Sequence, residues 1–183
     1  MKTCLPGTLL ETDWSSDEPL AVFDAVFAAG GLVLSQVCRL TRLEPHTVQN
    51  WVKRGFCSSP VAKQYSKRQF CRLVIINLLK ESLPLPRIAA MLTYINRTLT
   101  DERDDALGDD ELYAYFVRIL VKTDRDRLLR RQTEELIHTV AAGYTEAYPG
   151  ARKRLEKVLQ IMVLAYCATR LQADAQLLLN HLD

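Results

Sequence analysis

The chain has 183 residues, 48% of them hydrophobic and 25% charged, and its net charge at neutral pH is +2. This length allows one or two domains with a buried core, and only seven Gly and seven Pro at that apolar share exclude a disordered chain. The sequence shows no secretory signal, and its longest strongly apolar stretch, 158–169, is too short to cross a bilayer. Five scattered cysteines without a C-x-x-C pair fit reduced thiols, so we expect a cytoplasmic protein.

The N-terminal residues predict little regular structure before a first short helix. Residues 1–19 are mixed and acidic, and we expect a weakly structured arm. Residues 20–29 place Leu20, Phe23, Val26 and Phe27 on one face, which predicts an amphipathic helix that ends at a Gly-Gly pair. We expect this helix to pack under the segment that follows.

Residues 34–44 predict the first helix and the turn of a helix-turn-helix. Leu34, Val37 and Leu40 recur at helical spacing, and Ser35 is a candidate N-cap. The turn at residues 42–44 has the short length typical of this motif, and its Leu43 fills the corner between the two helices.

Residues 44–55 predict the second helix, which would enter a DNA major groove. Pro45 suits the first helical position and Gly55 suits the position just beyond the end. Val48 and Val52 face inward, with Trp51 beside them. The outer faces carry amides and cations, which can hydrogen-bond base edges and bind phosphates; these residues are His46, Gln49, Asn50, Lys53 and Arg54.

Residues 47–55, TVQNWVKRG, resemble the recognition helix of excisionase-type and MerR-type winged-helix DNA-binding proteins. The resemblance continues with a short wing over 56–66, a third helix over 67–80 and a fourth over 85–96. It spans residues 31–96 and implies a winged helix-turn-helix with DNA as its partner. A narrower similarity is to the domain-of-unknown-function family 1836 of Gram-positive bacteria, which implies a regulator; it is carried by residues 49–55, Tyr65-Ser66, Ile75-Ile76-Asn77 and Tyr94-Ile95-Asn96 and extends into Leu112-Tyr113.

The chain departs from the MerR pattern inside the recognition helix. Gln49 and Asn50 stand where an Arg and a Tyr are usual, and the wing is shorter and lacks an Arg after Pro60. The resemblance therefore does not transfer a base preference or a set of wing contacts.

We expect thirteen residues to contact DNA. Thr47 would bind a phosphate near the helix N-terminus, Gln49 and Asn50 would contact bases, and Lys53 and Arg54 would add charge at the backbone. His46 completes the groove-facing helix. The wing would contribute Lys63, Gln64 and Tyr65, and the flanking phosphate contacts would be Arg39, Lys67, Arg68 and Arg72.

The charge distribution favours the same segment. Residues 30–97 hold eleven Lys or Arg and two acids, a net charge of +9, whereas the rest of the chain carries a net charge of −7. Such segregation is the footprint of a module that neutralises phosphates. A solvated basic face would explain the charge alone. The coincidence of the charge with the motif favours DNA binding.

The second half of the chain predicts a helical bundle. Residues 97–108 are polar and acidic and predict a linker between two halves. Asp109 is expected to cap a helix whose first turn is acidic. Further helices are expected over 124–144 and 150–182.

The last predicted helix is apolar on nearly all sides between Leu155 and Leu171, and such a helix must be covered all round. Two explanations stay open: the helix is the centre of a small intramolecular bundle, or it also forms a homodimer interface. The bundle could equally hold a small-molecule effector, which the sequence does not identify.

Catalytic and metal-binding patterns are weak. Glu135 and His138 have the spacing of a di-iron ligand pair, but no second such pair exists, so an ordinary helix face is the better explanation. The acidic residues from Asp101 to Glu111 lack the spacing of an EF-hand loop. We expect no metal, no cofactor and no enzymatic activity.

The sequence therefore predicts an all-α protein with at most a tiny β wing. We expect an arm at 1–19, a MerR-like winged helix-turn-helix at 20–96, an acidic linker at 97–108 and a helical dimerisation or effector domain at 109–183. The expected function is a dimeric, sequence-specific regulator of transcription that binds double-stranded DNA in the cytoplasm, without membrane association. The alternative is a protein–protein interaction module that reuses the winged-helix fold without DNA.

Overall fold

The computed structural model describes residues 2–13, 20–96, 106–122 and 130–179, and confirms that the protein is predominantly α-helical. Among these residues the short strands pair as two antiparallel two-stranded sheets: β1 (Lys2–Cys4) with β2 (Glu11–Asp13), and β3 (Leu32–Val33) with β4 (Gln64–Tyr65). The helices are α1 (Ala21–Phe27), α2 (Leu34–Thr41), α3 (Pro45–Lys53), α4 (Lys67–Leu79), α5 (Leu85–Ile95), α6 (Asp109–Lys122), α7 (Arg130–Ala141) and α8 (Ala151–Leu179).

The N-terminal residues 2–13 form a β-hairpin that packs on the helices, so the expectation of a weakly structured arm is wrong for this stretch. Leu5 in the turn is buried at 1% exposure. The buried hydroxyl of Tyr113 donates a hydrogen bond to the Pro6 carbonyl over 2.7 Å. The partner that fixes the hairpin thus lies more than a hundred residues away. Residues 14–19 of the expected arm lie outside the described residues.

Helix α4 is the centre of the core because apolar side chains occupy most of its circumference. Phe23 of α1 meets the Phe70 ring of α4 edge-on at 5.9 Å and stacks on Tyr113 of α6 at 5.8 Å. Burying each large apolar side chain contributes about 1.5–3 kcal/mol. The buried apolar residues of α4 are Phe70, Cys71, Leu73, Val74, Ile75, Ile76 and Leu79.

Helices from both halves of the chain share this core. α6 packs along α4, and α8 packs against α4, α5, α6 and α7. The amide of Asn96 joins the end of α5 to Leu107: its Nδ2 donates to the Leu107 carbonyl over 2.6 Å, and its Oδ1 accepts from the Leu107 N–H at 3.2 Å. The expected linker at 97–108 therefore does not separate two cores among the described residues. Residues 97–105 lie outside the described part of the chain.

The C-terminal helices agree with the predicted ones where they are described. α6 begins at Asp109 itself, so Asp109 is its first helical residue and not the expected N-cap, and its carboxylate binds Arg72. α7 lies inside the helix expected over 124–144, whose residues 124–129 are outside the described part. None of the described helices combines the length and apolarity needed to span a membrane.

Helix α8 divides into two parts that differ in burial. Its first part is the intramolecular core of the bundle and buries Leu155, Val158, Leu159, Met162 and Val163. Its last part is exposed: Leu171 is 69% and Leu178 is 74% accessible. The expectation that the last helix lies covered at the centre of a bundle therefore holds only for the first part of α8.

Candidate nucleic-acid interface

Helix α2, a short turn and helix α3 follow one another where the sequence predicts a helix-turn-helix. Arg42 adopts a left-handed conformation with φ 57°, at the position where a glycine is common in this motif. Leu43 is buried at 5% exposure and fills the corner, as expected. The expected N-cap is corrected: α2 begins at Leu34, before Ser35, and its N-terminus is capped by the Gln36 amide oxygen, which accepts from the Val33 N–H at 2.9 Å.

Both ends of α3 are fixed by local chemistry that the sequence predicts. Pro45 occupies the first helical position, where its missing N–H is not needed. Gly55 adopts φ +75° directly after the helix, and the N–H groups of Gly55 and Phe56 donate to the carbonyls of Val52 and Trp51 at 3.0 and 2.9 Å. This pair of bonds is a Schellman motif, which stops the helix at a defined residue.

The two faces of α3 separate as its periodicity predicts. Val48 and Trp51 are 0% and 3% exposed and anchor the helix on the core. The opposite side is open: Thr47 is half-buried, and His46, Gln49, Asn50, Lys53 and Arg54 are exposed. Within the described residues, His46, Gln49, Asn50 and Lys53 make no hydrogen bond or ion pair through their side chains. Their donors and acceptors are therefore available to a ligand.

The stretch that the sequence predicts to be a wing forms a short turn after α3, and we name residues 61–65 the wing. Val61 pairs with Gln64, whose N–H donates to the Val61 carbonyl over 2.8 Å. Ala62 and Lys63 between them have φ 49° and 63°, so both central residues of the turn are left-handed, as in a type I′ hairpin turn. Lys63 and Gln64 are exposed, as expected for wing contacts, and Val61 is 79% accessible.

Tyr65 does not belong to the exposed wing, and its expected DNA contact is wrong. Its side chain is 4% exposed, and burial raises the pKa of its hydroxyl. Successive side chains of a strand point to opposite sides, so exposure of Gln64 places Tyr65 in the core. Tyr65 instead pairs with Leu32 across the two-stranded sheet and anchors the wing.

Gln69 positions the loop between α3 and the wing, a role that the sequence analysis missed. The side-chain oxygen of Gln69 accepts from the Ser66 N–H at 2.9 Å, and the backbone N–H of Gln69 donates to the Ser66 hydroxyl at 3.2 Å. These two bonds form a capping box at the start of α4. Its Nε2 donates to the Ser58 and Ser59 carbonyls at 3.2 and 3.0 Å. The Ser-x-x-Gln spacing was the signal that identifies the cap.

The flanking cations differ in what they contact. Arg39 on α2 is exposed. The Lys67 ammonium lies 3.2 Å from the Asp24 carboxylate and 5.9 Å from the Phe23 ring centre. Arg68 donates through Nη2 to the Leu107 carbonyl over 3.4 Å. Lys67 and Arg68 are thus engaged by the protein, whereas Arg39 extends into solvent.

Arg72 is buried, and its expected phosphate contact is wrong. Its side chain is 3% exposed and its Nε and Nη2 each lie 2.8 Å from Oδ2 of Asp109. Arg72 falls on the side of α4 that packs along α6, so the guanidinium neutralises the first turn of α6. This ion pair joins α4 to α6.

The electrostatics of this region favour an anionic ligand. From residue 30 to residue 80 the sequence contains a single acid, Glu44. The exposed cations on α2, α3, the turns and the wing are Arg39, Arg42, Lys53, Arg54 and Lys63. The Arg54 guanidinium rests 4.8 Å from the Phe56 ring centre, which holds it beside the end of α3.

The Glu135-x-x-His138 pair does not assemble into a metal centre in the described part of the chain. Nδ1 of His138 lies 2.9 Å from Oε1 of Glu156 on α8. Among the described residues, no three His, Cys, Asp or Glu side chains come together as ligands. His138 alone of the pair joins α7 to α8.

Comparison with known proteins adds a relative and a family. The chain is 26% identical over 157 residues to "Uncharacterized protein YkrK" of Bacillus subtilis (strain 168), a match covering 78% of this chain and 66% of that protein. The chain thus spans just under two thirds of that relative's length. No solved structure matches the chain significantly. The family described as Domain of unknown function (DUF1836) matches residues 22–116, which run from α1 through α5 and the wing into α6. This match covers more than half of the chain, and the protein is a member of the DUF1836 family.

Proposed function

We propose that this protein is a transcriptional regulator that binds specific double-stranded DNA sequences by placing α3 in the major groove. The observation that carries the proposal is the outer face of α3, where amide and cationic side chains stand exposed on a helix whose other face is anchored in the core. The order of α2, α3, the wing and α4 supports the likeness to MerR-type winged helices that the sequence suggested.

The chemistry of the α3 face suits base recognition. The major groove is about 12 Å wide and admits an α-helix. Gln49 and Asn50 each offer one acceptor and two donor hydrogens, the pattern that pairs with the adenine edge. Thr47 lies in the first turn, where a helix N-terminus favours a phosphate, and His46 adds a further donor or acceptor.

The charges around α3 suit the two phosphate ridges that border the groove. Lys53 and Arg54 lie at the end of α3, Lys63 at the wing and Arg39 on α2. The neutral amide of Gln64 beside Lys63 adds hydrogen-bond donors at the wing. Such contacts fix orientation and supply most of the sequence-independent affinity. Lys67 and Arg68 are secondary candidates because binding a phosphate would loosen their contacts with Asp24 and Leu107.

The proposed regulator acts as a cytoplasmic homodimer that joins through its C-terminal helices. A two-fold dimer presents two recognition helices to half-sites about 34–36 Å apart. Dimerisation roughly squares the sequence discrimination of a single helix-turn-helix, which is too small to select a unique site alone.

The test is a pull-down of fragmented bacterial genomic DNA, followed by fluorescence anisotropy with the recovered sequence at several salt concentrations. We expect specific binding whose affinity falls steeply with salt. Lys53→Glu with Arg54→Glu should weaken binding at least about tenfold, because both phosphate contacts are lost. The slope of log affinity against log salt concentration should also fall by about one for each lost contact. Lys157→Glu, an exposed charge change on α8, is the matched control and should bind like the parent.

The same experiment separates the competing function. If the folded protein recovers no DNA sequence and binds no duplex at low salt, the DNA proposal fails. The protein–protein interaction module then becomes the better explanation of the exposed α3 face.

A further inference from the structure

Helices α5 and α8 run antiparallel and leave a groove between them on the surface. Ser82, in the loop before α5, donates through Oγ to the Ala165 carbonyl over 2.8 Å, and at the other end Nη1 of Arg154 donates to the Tyr94 carbonyl over 3.1 Å. Since these contacts are eleven residues apart along α8, the groove is about 17 Å long. We name it the α5–α8 groove, and its side chains are Arg87 and Tyr94 of α5 and Arg154, Lys157, Ile161 and Leu164 of α8.

Helical spacing places these side chains along the groove. The four α8 residues follow one another at intervals of three, four and three residues, which keeps them on one side of the helix. Arg87 and Tyr94 are about two turns apart and therefore share one side of α5. Tyr94 and Leu164 are 45% and 43% exposed, and Arg154 and Ile161 are half-buried. The groove thus combines apolar and cationic groups that are open to solvent.

The α5–α8 groove is cationic without a compensating acid. Residues 82–97, which include α5, contain no Asp or Glu. Residues 151–173 of α8 contain one acid, Glu156, and its carboxylate lies 2.9 Å from Nδ1 of His138 on α7. Glu156 therefore lies on the side of α8 that faces α7. Within the described parts of α5 and α8, no carboxylate neutralises the cations of the groove.

Arg154 is held at one end of the groove by two tyrosines. Its guanidinium carbon lies 5.0 Å from the Tyr94 ring centre and 5.5 Å from the Tyr148 ring centre. Because these rings and the Tyr94 carbonyl fix the planar guanidinium, binding a carboxylate through its other N–H groups costs little side-chain entropy. Arg154 is therefore a preorganised anchor for an acidic side chain.

We propose that the α5–α8 groove binds an acidic amphipathic helix of a partner protein. A helix that lies in a groove between two others buries apolar residues at positions i, i+3, i+4 and i+7. Here those residues would contact the Tyr94 ring, Ile161 and Leu164, and flanking carboxylates would reach Arg87 and Lys157. A length of about 17 Å accommodates three turns of such a helix. The inference goes beyond DNA recognition, because this surface lies outside the residues proposed to contact DNA.

Two other occupants suit the groove less well. A second copy would bring the same set of cations against itself, and like charges that face each other across an interface are destabilising. Duplex DNA would match the cations, but its phosphate ridges offer no apolar group to cover Ile161 and Leu164. Apolar side chains flanked by charges are the usual composition of a protein–protein interface. The combination favours an acidic protein segment.

Selection from a library of displayed random peptides, with the full chain as bait, tests the proposal. Peptides of about eighteen residues allow five helical turns. We expect the enriched peptides to carry a net negative charge and apolar residues at helical spacing. A synthetic, fluorescently labelled copy of an enriched peptide should bind the full chain with micromolar affinity in an anisotropy assay. A scrambled peptide of the same composition should bind at least about tenfold more weakly.

Charge reversal on each helix shows where the peptide binds. Arg87→Glu on α5 and Lys157→Glu on α8 should each weaken peptide binding at least about tenfold. Arg118→Glu, which reverses an exposed cation on α6 outside the groove, is the matched control and should bind like the parent. Circular dichroism verifies each fold, and variants on two helices keep the test valid if one misfolds. Lys157→Glu should still bind the operator, so failure of this proposal and failure of DNA binding are distinguishable.

Three results would overturn the proposal. The first is a selection that enriches no peptide or enriches cationic ones. The second is an acidic peptide that binds Arg87→Glu and Lys157→Glu as tightly as it binds the parent. The third is a loss of duplex affinity or of self-association in both variants, without peptide binding by the parent, which would assign the groove to DNA or to a second copy.

Discussion

At the scale of single residues, we expect neighbouring side chains of the proposed recognition helix to contact different parts of the DNA. Asn50 is expected to contact a base, whereas Lys53 is expected to contact phosphate. Asn50→Ala should therefore relax preference at one base pair by about 1–3 kcal/mol, while Lys53→Ala should weaken binding to all sequences alike and lower the salt slope by about one. A panel of single-base operator variants in an anisotropy assay measures both. Equal losses on every sequence for Asn50→Ala would contradict its assigned role.

The buried Arg72–Asp109 pair leads to a prediction about stability. Both side chains are 3% exposed, so removing either one leaves an uncompensated buried charge. Arg72→Ala should lower the free energy of unfolding by about 3–5 kcal/mol, and replacing both residues by Met and Leu should recover most of the loss. Urea denaturation measures this. Unchanged stability of Arg72→Ala together with a loss of DNA affinity would restore the phosphate contact that the structure argues against.

Residue-scale prediction succeeded where a local pattern decides exposure. The apolar spacing of Val48 and Val52, with Trp51 beside them, was enough to predict which side of α3 faces solvent, although Val52 is only half-buried. It failed for Arg72 because its partner, Asp109, lies thirty-seven residues further along the chain. The prediction of exposure failed for Tyr65 because the family resemblance placed this residue in the wing. Alternation along the strand from the exposed Gln64 instead predicts a buried side chain at Tyr65.

At the scale of elements, the end of α3 depends on one backbone conformation. Gly55 has φ +75°, and a Cβ added there would meet nothing within 4 Å. Gly55→Ala should therefore cost about 1 kcal/mol through backbone strain alone. Thermal or urea unfolding measures the loss, with Gly143→Ala as a control at a glycine that is also open but has no positive φ. A Gly55→Ala protein as stable as the parent would contradict the Schellman assignment.

The helices from α2 to α5 were predictable to within a residue or two because caps, prolines and periodicity agree locally. The third helix, expected over 67–80, is observed as Lys67–Leu79, and the fourth, expected over 85–96, is Leu85–Ile95. The hairpin at residues 2–13 was not predictable, since its strands are short and its anchors come from α6 and the core. Local patterning carries no information about such distant partners.

At the scale of the whole molecule, buried titratable groups predict how stability depends on pH. Burial raises the pKa of Tyr113 and of Cys71 well above their ordinary values of 10.0 and 9.0. Both groups are neutral when folded but ionise at their ordinary values when unfolded, so their contribution is complete below about pH 9 and is lost as the pH rises further. Urea unfolding from pH 7 to 11 should show a decline above pH 9.

Tyr113→Phe tests the origin of that decline. It should reduce the alkaline loss and lower stability at neutral pH by about 1–3 kcal/mol, because the Pro6 carbonyl loses its buried donor. Cys71 retains its own contribution in this variant. Stability that increases with pH above 9 would contradict the burial of these groups.

Features of the whole molecule differ in whether the sequence alone predicts them. The positive charge concentrated in residues 30–97 was evident from composition, and the exposed cations around α3 follow from it. The core shared by both halves of the chain was not evident, because the polar stretch at 97–108 suggested a domain boundary. In the structure α4 and α6, which lie on either side of that stretch, pack against each other. The excess apolarity of the last helix was visible in the sequence, but only the structure separates the buried first part of α8 from its exposed last part.

The central claim is that the outer face of α3 lies against DNA bases, and site-specific photocrosslinking tests it most directly. A photoreactive side chain placed at Gln49 should crosslink to a base of the selected duplex at low salt, whereas the same group at Lys157 should not. A folded Gln49 variant that gives no crosslink while the parent binds that duplex, or equal crosslinking from both positions, would contradict the account.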